Sequence, residues 1–285
     1  MIMASYVCTI AGGKGGVGRT TTAINLGIAL HQDGYDVIVV DADLGMANVG
    51  ELLGVEPEHT VHDVLTSSSG IEDALIGTGA GIDVLAGDRS LGAYADVDPA
   101  VLSDIVRTLR DRYEVVLMDT SAGILHETTV AMGVADGILL VATASDVAAH
   151  DAEKIAALAD RVDGTVLGVV LTRVRDASDA EGFAQELGVP VLGVVPYDPS
   201  LANERSVLGP DDSSPATKSY RMLGTSLTDA FFEGADPIEL DPAIDEAWFD
   251  SDEAKADPTK ADSDDSDDSD DSDDDDSGDV LGMFN

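Results

Sequence analysis

Residues Ala11–Ala23 read AGGKGGVGRTTTA. They match the phosphate-loop pattern G-x-x-x-x-G-K-[S/T] in all but one letter, because Arg19 stands where the pattern has Lys. Gly13 and Gly18 keep the spacing. Glycine lets the backbone adopt the conformations that aim successive N–H groups at phosphate oxygens. A helix starting near Thr20 adds the positive end of its dipole. The Thr20 hydroxyl then sits where such loops supply a ligand for Mg2+.

The flanking sequence supports this reading. YVCTIA (6–11) reads as a buried strand leading into the loop. TTTAINLGIALHQDG (20–34) reads as a helix, with Ile24, Ile28 and Leu30 near one face and Gly34 as its C-terminal cap. DVIVVDAD (36–43) and IDVLAG (82–87) are further strands. EVVLMD (114–119), GILLVAT (137–143), TVLGVVLT (165–172) and PVLGVVP (190–196) are near-continuous apolar runs, as expected of strands buried on both faces. Helical stretches lie between them. TVHDVLTS (60–67) opens with a Thr60/Asp63 capping box, and 98–113 has Asp98 as N-cap followed by Pro99. Residues 146–162, 179–188 and 214–232 complete the set. The alternation predicts an α/β fold, a mostly parallel twisted sheet with helices on both faces.

Composition narrows the partners. The chain of 285 residues carries 15 Lys+Arg against 56 Asp+Glu, a net charge of -41. Residues 233–285 hold 22 acidic and 2 basic side chains, so the body, 1–232, is itself at -21. Such a surface repels itself at low ionic strength and tolerates molar salt, where the Debye length falls to about 3 Å. Scarce Lys with abundant Asp resembles the proteome of an extreme halophile, a haloarchaeon. Direct binding to nucleic acid or to an anionic membrane needs basic surface and is disfavoured. Cys8 is the only cysteine, which excludes an intrachain disulfide and a Cys-x-x-Cys site and makes the cytoplasm the expected compartment. No signal peptide is evident, and no apolar run reaches the roughly 18 residues of a membrane span.

Three carboxylates follow strands at the positions a phosphate loop needs. Asp41 and Asp43 leave the strand in VVDADLGMAN (39–48), and Asp119 ends the apolar strand in VVLMDTSAG (115–123). A hydrophobic strand ending in Asp beside such a loop is the Walker B arrangement that positions Mg2+. The five His residues form no metal pattern, and His59 and His62 read as solvated surface. Cys8 reads as inert core.

At this point the chain resembles the MinD/ParA family of P-loop ATPases over residues 4–232, MinD more than ParA. GGKGGVGRTT (12–21) is similar to that family's deviant Walker A motif, K-G-G-x-x-K-[S/T], with Lys14 at the signature lysine. DADLGMANVGELLG (41–54) is similar to its first switch and DTSAG (119–123) to its second, usually D-T-P-A-G. VPYDPSLANERSVLGPDDSSPATKSYRML (195–223) resembles the segment beside adenine that runs into the last helix. The resemblance implies a P-loop NTPase domain over 1–232 and a cofactor set of ATP and Mg2+. Gly13, Lys14, Gly15, Gly16, Val17, Gly18, Arg19, Thr20 and Thr21 would hold the phosphates, and Pro196 would lie near the base. Thr20, Asp41 and Asp119 would surround the metal. Asp43, Lys14 and Arg19 would be the catalytic set, with Asp43 orienting the attacking water. Two subunits would sandwich two ATP molecules, each Lys14 reaching its partner's phosphates, and hydrolysis would separate them.

The chain departs from the family in three places. Arg19 keeps the charge of the Walker lysine in a bulkier planar fork, which leaves binding in place and puts the rate of hydrolysis in question. Ser121 replaces the switch proline and should loosen the chain there. The C-terminus is an acidic tail, 233–285, whose DSDDSDDSDDSDDDDSGD (262–279) is expected to be disordered, in place of a basic membrane helix. EAWFD (246–250) and the tip VLGMFN (280–285) are candidate apolar motifs for a protein partner. The expected function is an ATP-dependent dimerisation switch that positions division, chemosensory or motility machinery, recruited to the pole or membrane by partners. A nucleotide-bound scaffold with little hydrolysis, a ParA-type partition ATPase and a biosynthetic relative are the alternatives.

Overall fold

The computed structural model describes residues 4–90, 98–176, 183, 189–202, 209 and 213–240. The helix expected over 179–188 (Phe183 apart), the acidic run and both apolar tail motifs lie outside the described residues.

The strands are β1 (Tyr6–Ala11), β2 (Val37–Ala42), β3 (Leu75–Gly77), β4 (Asp83–Leu85), β5 (Val115–Thr120), β6 (Gly137–Thr143), β7 (Val166–Val174) and β8 (Val191–Pro196). They form one 8-stranded sheet in the order β3-β4-β2-β5-β1-β6-β7-β8. Every described neighbour pair is parallel except β3–β4. The helices are α1 (Arg19–Gln32), α2 (Val49–Leu53), α3 (Val61–Leu65), α4 (Ile71–Ala74), α5 (Leu102–Arg110), α6 (His126–Val134), α7 (Asp146–Arg161), α8 (Pro199–Ala202) and α9 (Pro215–Thr228). The expected strands and caps are present: Asp98 accepts the Ala100 N–H, and Thr60 and Asp63 form the reciprocal capping box. Gly34, at φ 102°, carries the chain out of α1 in the left-handed conformation that favours glycine.

Alternation along the strands feeds both faces. Cys8 and Ile10 join the core beneath α1 and α9, while Val7 joins the opposite layer beneath α5. Cys8 is fully buried, and burial pushes its thiol up to about 12, so it is the inert core residue expected. The one-face reading of α1 is too narrow: all residues from Thr22 to Leu30 are buried. The physical reason is α9, which packs beside α1 and against β8, with Tyr220 and Leu223 in the shared core. The edge strand β3 was not anticipated. Three residues followed by Thr78–Gly79 give no strand-length pattern, and the strand exists only through antiparallel pairing with β4. Beyond α9, Leu240 packs against the α1 core.

Asp136 closes the sheet at the start of β6. Its carboxylate accepts the Val7 N–H at 2.8 Å and both terminal nitrogens of Arg110 at 2.7 and 2.9 Å. Arg110 and Asp136 are partly exposed, so most of the stabilisation rests in the bond to Val7. Asp136→Ala should lower the free energy of unfolding by roughly 1–3 kcal/mol in denaturant titrations. An unchanged midpoint would contradict this role.

Candidate functional site

All the chemistry gathers where the central parallel strands end. In the β1–β5 ladder Ile10 pairs with Asp119, and in the β2–β5 ladder Asp41 pairs directly with Asp119. The loop 12–18 leaves β1 above them. Its exit is set by Gly18 at φ 94°, a left-handed residue immediately before α1. It is held at its far end by the Thr172 hydroxyl, which donates to the Val17 carbonyl at 2.6 Å. Gly13 touches α7 so closely that a Cβ there would stand 2.6 Å from the Cβ of Asp151. Lys14, Gly15 and Gly16 form the exposed crown.

Arg19 lies along the loop. Its Nη1 donates to the Gly12 carbonyl at 3.0 Å, and the Gly123 N–H of the second switch donates to the same oxygen at 3.1 Å. Its Nε is buried with no hydrogen-bond partner. Burial lowers the guanidinium pKa, while Asp119 and Asp43 pull it back up.

The carboxylates divide by their partners. Asp41 is buried and accepts three backbone N–H groups, from Asn48 at 2.9 Å, Val49 at 3.0 Å and Asp43 at 3.3 Å. Burial still pushes it up to about 7. Asp119 is fully buried and neither carboxylate oxygen has a hydrogen-bond partner. Burial, then Asp41, drives its pKa well above the usual range; Thr20 pulls the other way without reaching hydrogen-bond geometry. Asp43 is half-buried and accepts the Met46 N–H at 3.1 Å; burial raises its pKa and Arg19 lowers it. An unpartnered carboxylate at full burial fits a site built for a cation.

A second concavity adjoins the loop. Gly18, Thr21, Pro196, Tyr197, Leu201 and Tyr220 line it. The Tyr220 hydroxyl meets that of Thr22 at 3.2 Å, and the Arg175 guanidinium lies 4.0 Å from the centre of the Tyr197 ring. Its mixed apolar and hydroxyl lining suits a flat heterocycle.

The residues chosen from sequence, Gly13 to Thr21, Asp41, Asp43, Asp119 and Pro196, thus fall at the C-terminal ends of the strands and in the segments that follow them. Thr172 was missed, because it reaches the loop from far along the chain, whereas Tyr197 and Tyr220 lie in the segment 195–223 expected beside the base without having been singled out. Ser121 does not simply loosen the switch. It is buried, donates to Glu127 at 3.1 Å and lies 3.2 Å from the Thr128 hydroxyl, so the side chain ties down what the missing proline leaves free. His62 corrects the solvated-surface reading: it is only 3% exposed, because α3 turns its ring inward between two loops. Among the described residues no group of His, Cys, Asp and Glu makes a metal cluster of its own.

Comparison with known proteins agrees with this geometry. Residues 8–207 match the CobQ/CobB/MinD/ParA nucleotide binding domain. The chain is 34% identical over 234 residues to an uncharacterized ATP-binding protein of Methanocaldococcus jannaschii, covering 79% of this chain and 88% of that protein. Its fold superposes on the cell division ATPase MinD of Pyrococcus furiosus with a TM-score of 0.74 and 30% identity, over 79% of this chain and 99% of that one. It is similar also to the septum site-determining protein MinD of Pyrococcus horikoshii, solved with Mg-ADP, with a TM-score of 0.74, 28% identity and coverage of 81% and 99%.

The raised pKa values set the sign of a pH test. A carboxyl that holds its proton more tightly folded than unfolded leaves stability intact below its unfolded value. That stability is lost as pH rises from about 4 through the folded value. For Asp41 the window closes near pH 7. Asp119→Asn removes the unpartnered acid, so the free protein should gain about 1–3 kcal/mol at pH 8 relative to wild type and less at pH 5. Equal stability of the two proteins at pH 8 would contradict the burial of an uncompensated carboxyl.

Proposed function

The chain belongs to the CobQ/CobB/MinD/ParA nucleotide-binding family, and on that premise we propose that it is an ATP-driven dimerisation switch that positions cellular machinery. The observation that carries this is Asp119, a buried carboxyl with no partner beside a glycine loop whose crown is exposed. Similarity to MinD, named for cell division, supports the positioning role.

In this reading the loop from Gly13 to Thr21 binds the phosphates through backbone N–H groups and the end of α1. The adenine enters the Pro196–Tyr197–Tyr220 concavity. Thr20 and Asp119 would hold a Mg2+ ion, with Asp41 behind them, and the ion would neutralise charge on the terminal phosphates. Asp41 has a second duty already visible in its three N–H partners: it shapes the loop that carries Asp43. Asp43 orients a water molecule toward the γ-phosphorus. The P–O bond to the β-phosphate breaks, the water oxygen joins the γ-phosphoryl group, and ADP and phosphate leave. The Arg19 Nη1 and the Gly123 N–H share the Gly12 carbonyl, so a move of Arg19 onto a phosphate oxygen would release one of those two bonds and couple the loop to the second switch at Gly123.

Exposed apolar residues surround this edge. Met46, on the first switch, is 78% exposed, and Ile124 and Leu125, on the second, are 57% and 45% exposed. These loops respond to the γ-phosphate in the proposed cycle, so a second copy docked across Lys14 would cover them when ATP is bound. Partner proteins and recruitment to the pole or membrane belong to the same reading. Among the described residues no helix is long and apolar enough to cross a membrane. The net -21 of residues 1–232 argues against a DNA-partition role. One observation favours a scaffold with little turnover: the Arg19 Nη1 is engaged by the Gly12 carbonyl, and the planar fork is a poor substitute for an ammonium.

ATP turnover at molar KCl separates the two. Wild type, Arg19→Lys and Asp43→Ala should all bind ATP. Wild type should hydrolyse it slowly, Arg19→Lys faster, and Asp43→Ala about 100-fold more slowly than wild type. Binding without measurable hydrolysis in wild type and Arg19→Lys alike would establish the scaffold reading. A wild type that binds no Mg-ATP would refute both.

A further inference from the structure

We infer that His62 is a positioning residue for Asp43, acting through the backbone of the first switch. The inference rests on the hydrolytic reading proposed above.

The geometry begins with a five-residue helix. α3 is fixed at its start by the Thr60/Asp63 capping box and by the Val61 N–H, which donates to the Ala86 carbonyl at 2.8 Å. That anchoring turns His62 into the core between two loops that are distant in sequence. On one side the imidazole Nε2 meets the Leu44 carbonyl at 2.8 Å. On the other the Asp88 backbone N–H points at Nδ1 at 3.0 Å. A backbone N–H can only donate, so Nδ1 is the acceptor. The ring proton is therefore on Nε2, and His62 donates to Leu44. Both ring nitrogens are used, and the donor end grips the residue that follows Asp43.

Asp41 and His62 act on the same loop from opposite sides. Asp41 collects N–H groups of Asp43, Asn48 and Val49. His62 takes the carbonyl of Leu44, whose side chain is 1% exposed and locked in the core. Between those two anchors the Asp43 side chain has little freedom beyond its own bond to the Met46 N–H. A carboxylate that must aim a water at phosphorus loses rate steeply with small displacements; about 1 Å can cost a factor of 100. His62 touches no part of the loop–carboxylate edge itself, so its effect should fall on kcat and leave ATP affinity in place.

Two amide variants separate the two bonds. In His62→Gln the amide nitrogen falls near the position of Nε2 and can still donate to Leu44. In His62→Asn the amide oxygen falls near Nδ1 and can accept from Asp88, but nothing reaches Leu44. Turnover, KM for ATP and melting temperature are measured for both beside wild type and Asp43→Ala. His62→Asn should lower kcat about tenfold or more with KM within about twofold, and His62→Gln should stay within about threefold of wild type, even where the two variants melt at the same temperature. His62→Asn turning over like wild type would overturn the inference. So would a loss of kcat in the two variants that simply follows their loss of stability. A wild type that hydrolyses no ATP would overturn the hydrolytic reading and this inference together, whereas normal wild-type turnover with unaffected variants removes only this one.

Discussion

Two aspartates paired in register on neighbouring buried strands set the terms for the rest of this molecule. Asp41 on β2 and Asp119 on β5 are direct partners in a parallel ladder, both out of water. Burial raises the pKa of both, and a neighbouring carboxylate adds to each, Asp41 to Asp119 and Asp43 to Asp41. A hydrophobic pair would pack there at no electrostatic penalty. The fold instead supplies three N–H donors to Asp41, leaves Asp119 unpartnered, and folds the half-buried guanidinium of Arg19 onto the loop above them. Such an arrangement is electrostatically costly in the free protein and would be relieved by a cation, which is the physical basis for the proposed switch.

The parallel sheet explains why everything else arrives at the same edge. Strands buried on both faces can present polar groups only at their ends. The glycine loop, Asp41, Asp119 and the Thr172 hydroxyl therefore sit near one another at strand ends, and single hydrogen bonds tie the loop to Gly123 and to Thr172. The Gly12 carbonyl is the clearest link, since Arg19 and Gly123 both donate to it. The side chain at position 19 is thus tied through that acceptor to the second switch as well as standing beside the phosphate site. Ser121 acts in the same direction by tying the second switch to Glu127 and Thr128.

Much of this was legible in the sequence, for a definite reason. The central strands are continuous apolar runs, and the loop, Asp41, Asp43 and Asp119 are local to their ends, so adjacency along the chain stands in for adjacency in space. The tail's acidity and the caps at Thr60, Asp98 and Gly34 are likewise local. What could not be read depends on contacts across the fold. β3 has three residues and exists by pairing. The burial of α1 on all sides needs α9. His62 looked like a surface residue because its two partners lie 18 and 26 positions away. The fold-back of Arg19 onto Gly12 follows from the loop's shape, which no pattern of letters conveys.

The dimerisation switch is tested most directly by mass. Sedimentation velocity at molar KCl, where the acidic surface is screened, compares the full chain with Mg2+ and a slowly hydrolysed ATP analogue and with Mg-ADP at the same protein concentration. The proposed switch predicts a species of about twice the monomer mass with a slowly hydrolysed ATP analogue and a monomer with ADP. The same species in both nucleotides, with both shown to be bound, would contradict it.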